Sequence, residues 1–273
     1  MTDGAAAMRP LAAMPAATRA AIRGVLFDVD DTLTTHGALT AAAYAALEAL
    51  HDAGLMAVAI TGRPAGWCDH LARMWPVDAV VGENGALWMR YDRAARRLER
   101  HFVAADAVRR EDRARLAAIG ERILGAVPGT ALASDQHYRE ADLAIDFCED
   151  VPALPRAAVD RIVALMEAEG MTVKVSSIHV NGWFGRYDKL TTTKALFAEV
   201  FGVDLDRDRE QYVFAGDSPN DAPMFAYFPN AVGVANVRAF ADRIATLPAY
   251  VTASEAGAGF VELVAAVVSG RRR

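Results

Sequence analysis

Short apolar runs that each stop at a polar or acidic residue recur along the chain, with helix-like stretches between them. "GVLFD" (24–28), "LMAVAIT" (55–61) and "DAVVGEN" (78–84) place apolar residues at consecutive rather than alternating positions. Consecutive apolar residues suit strands buried on both faces, and such strands belong to parallel sheets covered by helices. The segment "TAAAYAALEALHDAG" (40–54) reads as a helix, with Thr40 able to cap its start and Gly54 where a left-handed C-cap belongs. Pro64 opens another helix, running to about Met74. Strand–helix–strand–helix–strand predicts an α/β fold built on a doubly wound parallel sheet.

The rhythm breaks at residue 86. "ALWMRYDRAARRLERHFV" (86–103) reads as a hairpin, followed by a charged helix (105–124), a strand (141–147), a helix (155–169) and one long strand, "MTVKVSSIHVNGWF" (171–184). This predicts an α+β module over 86–185, inserted into a core made of 21–85 and 186–273. From 190 the first rhythm returns, with a helix closed by Gly202, a strand at 211–217, a short helix with Pro at its start, and strands at 231–236 and 249–253. The Ala-rich opening, residues 1–20, is interrupted by Arg9, Pro10 and Pro15. It lacks a basic start followed by a continuous apolar stretch, so it reads as a frayed, disordered leader rather than a signal peptide.

Composition narrows the class. A chain of 273 residues, 53% hydrophobic and 23% charged, is long enough for a sizeable core and a second, smaller module. A net charge of −6 without a basic stripe argues against a nucleic-acid partner. No run approaches the roughly 20 apolar residues of a membrane span. Cys68 and Cys148 form no CxxC or Cys/His cluster, which excludes a disulfide framework and fits a reducing, cytoplasmic setting. The other histidines, His36, His51, His70, His101 and His137, show no metal-ligand spacing. Monomer and homodimer both stay open.

In an open α/β sheet, ligands bind beyond the carboxyl ends of the strands. Three strand ends carry unusual polar groups: "DVDDT" (28–32), "TGR" (61–63) and "GDSPND" (216–221). Lys189, in "YDKL", lies just ahead of the helix that follows the insertion. Asp28, Asp30 and Asp217 converging on one crevice repel one another, by about 1 kcal/mol at 4 Å in water and about 4 kcal/mol at an effective dielectric of 20. Something positive must compensate. Oxygen-only ligands without His or Cys point to Mg²⁺, and Thr61 and Lys189 are the groups to hold the remaining phosphoryl oxygens. Such a set suits phosphoryl transfer, where positioning and charge neutralisation supply most of the rate.

The order DxDxT, Thr at the second strand end, Lys, then GDxxxD resembles the haloacid dehalogenase-like hydrolase superfamily. The place of the insertion, "GENGAL" and "GDSPND" are similar to its subfamily IIB, which includes Cof-type sugar phosphatases, sucrose- and trehalose-phosphate phosphatases, mannosyl-3-phosphoglycerate phosphatase and phosphomannomutase. The likeness spans about residues 22–268. It implies a Rossmann-like core with a C2-type cap, and Asp28 as a nucleophile forming an aspartyl-phosphate. Asp30 becomes the acid that protonates the leaving oxygen and then the base that activates water. On the same likeness Mg²⁺ is expected at Asp28, the backbone carbonyl of Asp30 and Asp217, and the phosphoryl group at Thr61 and Lys189. The likeness gives Asp221 the role of orienting Lys189 or a metal-bound water, with Asn220, Gly62 and Arg63 in support; Thr61 as a plain strand residue and Arg63 as a surface charge stay open. Asp31 stands where many relatives have Gly and reads as a turn residue. "DKLTTTKAL" also offers Lys194, but a lysine at the helix start favours Lys189.

Glu83 and Asn84 end the third strand and are candidates for either the cleft or a turn. In the inserted module, His179 and Asn181 share one strand face and are candidates for substrate contact, with Lys174 and Ser176 on the opposite face. The expected activity is Mg²⁺-dependent hydrolysis of a small phosphate monoester, with a sugar phosphate as the class the resemblance implies. A phosphomutase, returning the phosphoryl group to a sugar, is the competing enzyme. A phospho-accepting or ligand-binding module without turnover is the competitor from another class; the inserted module and the second aspartate of DxD argue against it.

Overall fold

The computed structural model describes residues 8–270, whose strands form two sheets. The elements of the first half are β1 (Arg9–Pro10), α1 (Ala16–Ala21), β2 (Gly24–Phe27), α2 (Ala41–Asp52), β3 (Met56–Ile60), α3 (Ala65–Met74), β4 (Ala79–Gly82), β5 (Leu87–Asp92) and β6 (Arg97–Phe102). The inserted module holds α4 (Asp106–Ala126), β7 (Ala131–Leu132), β8 (Asp142–Asp146), α5 (Arg156–Ala168), β9 (Thr172–Val175) and β10 (His179–Trp183). The chain then returns through α6 (Lys189–Leu196), α7 (Leu205–Asp208), β11 (Tyr212–Gly216), α8 (Ala222–Tyr227), β12 (Val232–Gly233), β13 (Tyr250–Val251) and α9 (Ala256–Gly270). Among the described residues no helix is long and apolar enough to cross a membrane.

The larger sheet has the order β1-β13-β12-β11-β2-β3-β4-β5-β6, parallel from β1 to β4. β2 lies at its centre, between β11 and β3. Side chains alternate across a strand, so Val25 and Phe27 enter the core under α2, α3 and α9 while Leu26 enters the one under α6 and α8. Both faces are apolar, as the uninterrupted runs predict. Phe27 meets Phe260 of α9 edge to face at 5.0 Å. Thr40 caps α2 by accepting from the Ala43 N–H at 3.2 Å, and Gly54 follows with φ of 65°.

Three expectations of architecture change. The hairpin at 86–103 is not part of the inserted module: β5 pairs antiparallel with β4, and β6 with β5, extending the core sheet to its edge. A tight reversal after β4 needs no crossover helix, so the change from parallel to antiparallel marks the end of the sheet and not a domain boundary. The expected leader is also structured from residue 8. β1 pairs with β13, and Leu11 and Met14 are buried in the core beneath α2 and α9; residues 1–7 lie outside the described residues. The long strand at 171–184 is two strands, β9 and β10, paired antiparallel. Ser176 makes the turn: its hydroxyl accepts from the Ile178 and His179 N–H groups at 3.3 and 2.9 Å.

The smaller sheet runs β7-β8-β10-β9, all antiparallel, with α4 and α5 on one face. Leu143, Ile145 and Val180 pack against Ile119, Ile123, Ile162 and Met166. Asp142, Asp146, His179 and Asn181 therefore project from the other face. Because Asn181 pairs directly with Lys174, those two side chains share a face. The opposite-face expectation fails because the turn at 176–178 reverses the strand.

The segment returning from the inserted module passes close over the turn between β4 and β5. A Cβ on Gly85 (φ of 107°) would lie 2.1 Å from the Asp188 carbonyl oxygen, so no other residue fits there without displacing backbone. Leu11→Ala is expected to cost about 2–4 kcal/mol, as for other buried leucines. Urea unfolding measures it; a loss under about 0.5 kcal/mol, the size of a surface substitution, would show that the N-terminal segment lies outside the core.

Candidate active site

The carboxyl ends of β2, β3 and β11 converge, and α6 brings a lysine to them. The Asp28 N–H donates to the Ala215 carbonyl at 2.9 Å, seating the first aspartate against β11. Asp188 caps α6 through a reciprocal pair: its carboxylate accepts from the Thr191 N–H at 2.7 Å and its own N–H donates to the Thr191 hydroxyl at 3.0 Å. Lys189, the next residue, is thereby aimed inward. Its Nζ lies 2.6 Å from Asp28 Oδ1 and 2.7 Å from Asp221 Oδ1. Lys194 instead pairs with Asp206 at 2.7 Å on the surface, so Lys189 is the one of the two lysines brought to Asp28.

Asp221 is fixed from both sides. Its Oδ2 accepts from the Asp217 and Ser218 N–H groups at 3.1 and 3.3 Å. A Cβ on Gly216 would stand 2.4 Å from that oxygen, so the carboxylate can sit there only over glycine. Asp217 accepts from the Thr32 hydroxyl at 3.3 Å and from Asn236 Nδ2 at 3.0 Å. Asn236 also donates to the Asp31 carbonyl at 3.0 Å. Asp31 takes φ of 54°, the left-handed conformation in which a glycine is at ease.

Asp28, Asp217 and Asp221 offer oxygens within 4.8 Å of one another, and all three residues are buried. One ammonium faces three carboxylates. Burial pushes Asp28 well above the usual carboxylate range; Lys189 pulls it back, and the charges of Asp221 and Asp30 push it further up. Burial, then Asp221 and Asp28, raises Asp217 likewise. Asp221 Oδ2 already accepts two N–H groups and its Oδ1 meets Lys189, whereas each Asp217 oxygen accepts one hydrogen bond and keeps a lone pair, as Asp28 does. An oxygen-only donor set with surplus negative charge fits a hard divalent cation such as Mg²⁺. The Asp30 carboxylate is not part of this cluster, because the side chain turns to Arg63.

Arg63 is the second centre. Its Nε lies 3.0 Å from both Asp30 oxygens, and its Nη2 donates to Asp30 Oδ1 at 2.8 Å. Nη2 also meets Glu149 Oε1 at 2.5 Å, while Nη1 reaches Asp135 Oδ2 at 3.1 Å and Glu149 Oε2 at 3.4 Å. Its guanidinium lies over the Trp67 ring, 4.4 Å from the centroid. The Arg63 N–H donates to Thr61 Oγ1 at 3.0 Å, so Thr61 and Arg63 share one tight turn at the end of β3. Arg139 closes the joint, donating to the Gly62 carbonyl at 2.8 Å, to Asp142 and to Asp135.

Glu83, with φ of 46°, points its carboxylate into the joint. Oε1 accepts from the Ala65 and Glu140 N–H groups at 2.9 and 2.8 Å, and Oε2 from Ala141 and Asp142 at 2.7 and 3.2 Å. Glu83 is thus a bridge from core to inserted module. Asn84 accepts from Asn220 Nδ2 at 3.4 Å, and Asn220 Oδ1 accepts from the Ser218 hydroxyl at 2.8 Å.

The candidates on the inserted sheet separate. His179 Nε2 lies 2.8 Å from Glu149 Oε2, within the group around Arg63. Asn181 donates to Asp142 Oδ2 at 2.9 Å and serves the joint, and Ser176 is committed to its own turn. Asp135, Arg139 and Glu149 escaped the sequence reading, since no motif surrounds them and only docking of the two modules brings them in. Asn236 was within reach: it sits just beyond β12, another strand end on the same edge of the sheet.

Residues 25–110 match the family model of haloacid dehalogenase-like hydrolases. No curated protein matches the chain in sequence. Among solved structures, the C-terminal domain of trehalose-6-phosphate phosphatase from C. albicans is 14% identical with a TM-score of 0.71, covering 98% of this chain and 99% of its own. A Thermoplasma acidophilum protein is 19% identical with a TM-score of 0.64, and covers 90% and 98%. The sucrose-phosphatase of Synechocystis sp. PCC6803, solved with sucrose and phosphate, is 18% identical with a TM-score of 0.61, covering 90% and 98%.

Burial alone would raise the Glu149 carboxyl, but the His179 and Arg63 contacts outweigh it and hold the group down at about 2, against 4.5 for a free glutamate. A depressed value stabilises the fold above the free value and is lost as pH falls toward the folded one. Glu149→Gln is therefore expected to cost about 1–3 kcal/mol near pH 6, the gap from wild type closing as the pH drops from 4.5 toward 2. Urea titrations across that window check it; a constant gap would show that the ion pair is not its source.

Proposed function

We propose that this chain is a haloacid dehalogenase-like hydrolase and acts as a metal-dependent phosphatase that cleaves a small phosphate monoester through a phosphorylated Asp28. One observation carries the reading: a single buried ammonium, Lys189, bridges Asp28 and Asp221 while Asp217 lies in the same cluster. An Asp28 oxygen attacks phosphorus in line, and the bond from phosphorus to the leaving oxygen breaks. Asp30 supplies the proton that the leaving oxygen needs. Asp30 then takes a proton from water, whose oxygen attacks phosphorus as the bond to Asp28 breaks, releasing phosphate and restoring the Asp28 carboxylate and the protonated Asp30.

Lys189 and the Thr61 hydroxyl hold the equatorial phosphoryl oxygens, and Asp221 keeps the ammonium in place. Asp28, the Asp30 carbonyl and Asp217 would hold Mg²⁺, which neutralises charge on the phosphoryl group when bound. Asp28 and Lys189 are 4% and 2% exposed, so substrate entry requires the inserted module to swing away, and its return excludes water. A phosphorylated sugar is the substrate class we favour. The support is analogy with the sucrose- and trehalose-phosphate phosphatases that share the fold.

Phosphate release from p-nitrophenyl phosphate and from a set of sugar phosphates, with Mg²⁺ and with EDTA, tests the proposal. Release is expected with the metal only, and Asp28→Asn is expected to lower it at least about a thousandfold, as removal of a nucleophile does elsewhere. Undiminished activity in Asp28→Asn would remove the nucleophile from the scheme. An isomeric sugar phosphate in place of free phosphate would identify a mutase.

A further inference from the structure

A guanidinium carries five N–H donors in one rigid plane. In Arg63 all five are used, and the acceptors divide between the two modules. The inner part of the fork, Nε and one N–H of Nη2, grips both oxygens of Asp30 in the core. The outer part, the other N–H of Nη2 and both of Nη1, is met by Glu149 and Asp135 of the inserted module. Trp67 supports the plane from below, and Arg63 itself is 4% exposed. The main chain of the same residue is tied to Thr61 Oγ1 through its N–H, and to the Glu83 N–H through its carbonyl at 3.0 Å.

Such a plane cannot rotate about Asp30 while Glu149 and Asp135 hold its outer edge. With the module swung away, three N–H groups lose their acceptors to water, and the plane is free to turn on the flexible stem, taking the Asp30 carboxylate with it. We propose that Arg63 is a positioning residue that transmits closure of the inserted module to Asp30, so that the acid–base group is aligned only when Glu149 and Asp135 complete the fork. This rests on the assignment of Asp30 as acid and base. A lysine at 63 would keep the charge but offer one point of contact in place of a fork.

The test pairs Glu149→Gln, which alters only the inserted module's side of the bridge, with Arg63→Lys and the double variant. Glu149→Gln is expected to lower kcat about five- to twentyfold with KM changed less than about twofold, since alignment and not binding is lost. The double variant is expected to match Arg63→Lys within about twofold, because the effect of Glu149 passes through Arg63. Multiplying effects, or losses carried by KM, would overturn the coupling.

An arm independent of turnover uses hydrogen exchange at the Glu140, Ala141 and Asp142 amides, which donate across the joint to Glu83. Arg63→Lys should speed their exchange about fivefold or more, while the Ala144 amide, bonded to Gln136 inside the module, keeps its rate. Unchanged exchange at all four would show that Arg63 does not tie the modules together. A wild type that hydrolyses no ester would sink the phosphatase reading, and the exchange arm would still decide the bridge.

Discussion

The ion pairs of Lys189 with Asp28 and Asp221 are the interaction on which the arrangement depends. Three carboxylates gathered at the ends of two parallel strands would drive those strand ends apart if left alone, and burial sharpens the conflict. The ammonium arrives from α6, the first element after the inserted module, and it arrives correctly aimed because Asp188 caps that helix one residue earlier. A local rule of helix termini thus sets a distance between groups 161 positions apart in the chain. Asp221 completes the arrangement by accepting two backbone N–H groups over Gly216 and the Lys189 ammonium, so its charge is shared among three donors rather than confronting Asp28 directly.

A second charged assembly joins the modules. Joints between domains of one chain run more polar than obligate interfaces, and here Arg63, Arg139, Glu83, Asp135 and Asp142 are all buried at the joint. Buried ion pairs seldom add much net stability, because desolvation offsets attraction, but they punish misalignment heavily. A joint of this kind closes in one register or leaves charges unpaired. That property suits a module that must return to the same place after each opening.

How far these features were legible depends on how local their causes are. The uninterrupted apolar runs of β2, β3 and β4 declare a parallel sheet, and the rule that ligands gather at carboxyl ends singles out Asp28, Thr61 and Asp217. Lys189 is legible through its place before a helix. The hairpin β5–β6 is correctly visible as a hairpin, but nothing local tells which sheet it joins. At 171–184 the β-branched residues on either side of Ser176 and Ser177 hide a turn made by a serine hydroxyl. Leu11 and Met14 are masked by the alanines around them. Glu149 and Asp135 could not be found from local pattern, since their partner Arg63 lies 86 and 72 residues away.

The ends of the large sheet carry one further consequence. An open sheet leaves unpaired N–H and C=O groups along its outer strands, and these invite strands from other molecules. One border is β1, only two residues long and ending in Pro10, which has no N–H to offer. The other is β6, whose "RLERHF" sets Arg97, Glu99 and Arg100 along the rim, with Arg97 and Arg90 both near Glu99. A neighbouring copy approaching either border meets a missing donor or a row of charges. The hairpin that looked like the start of another domain is the guard that keeps this sheet from growing by intermolecular strand addition.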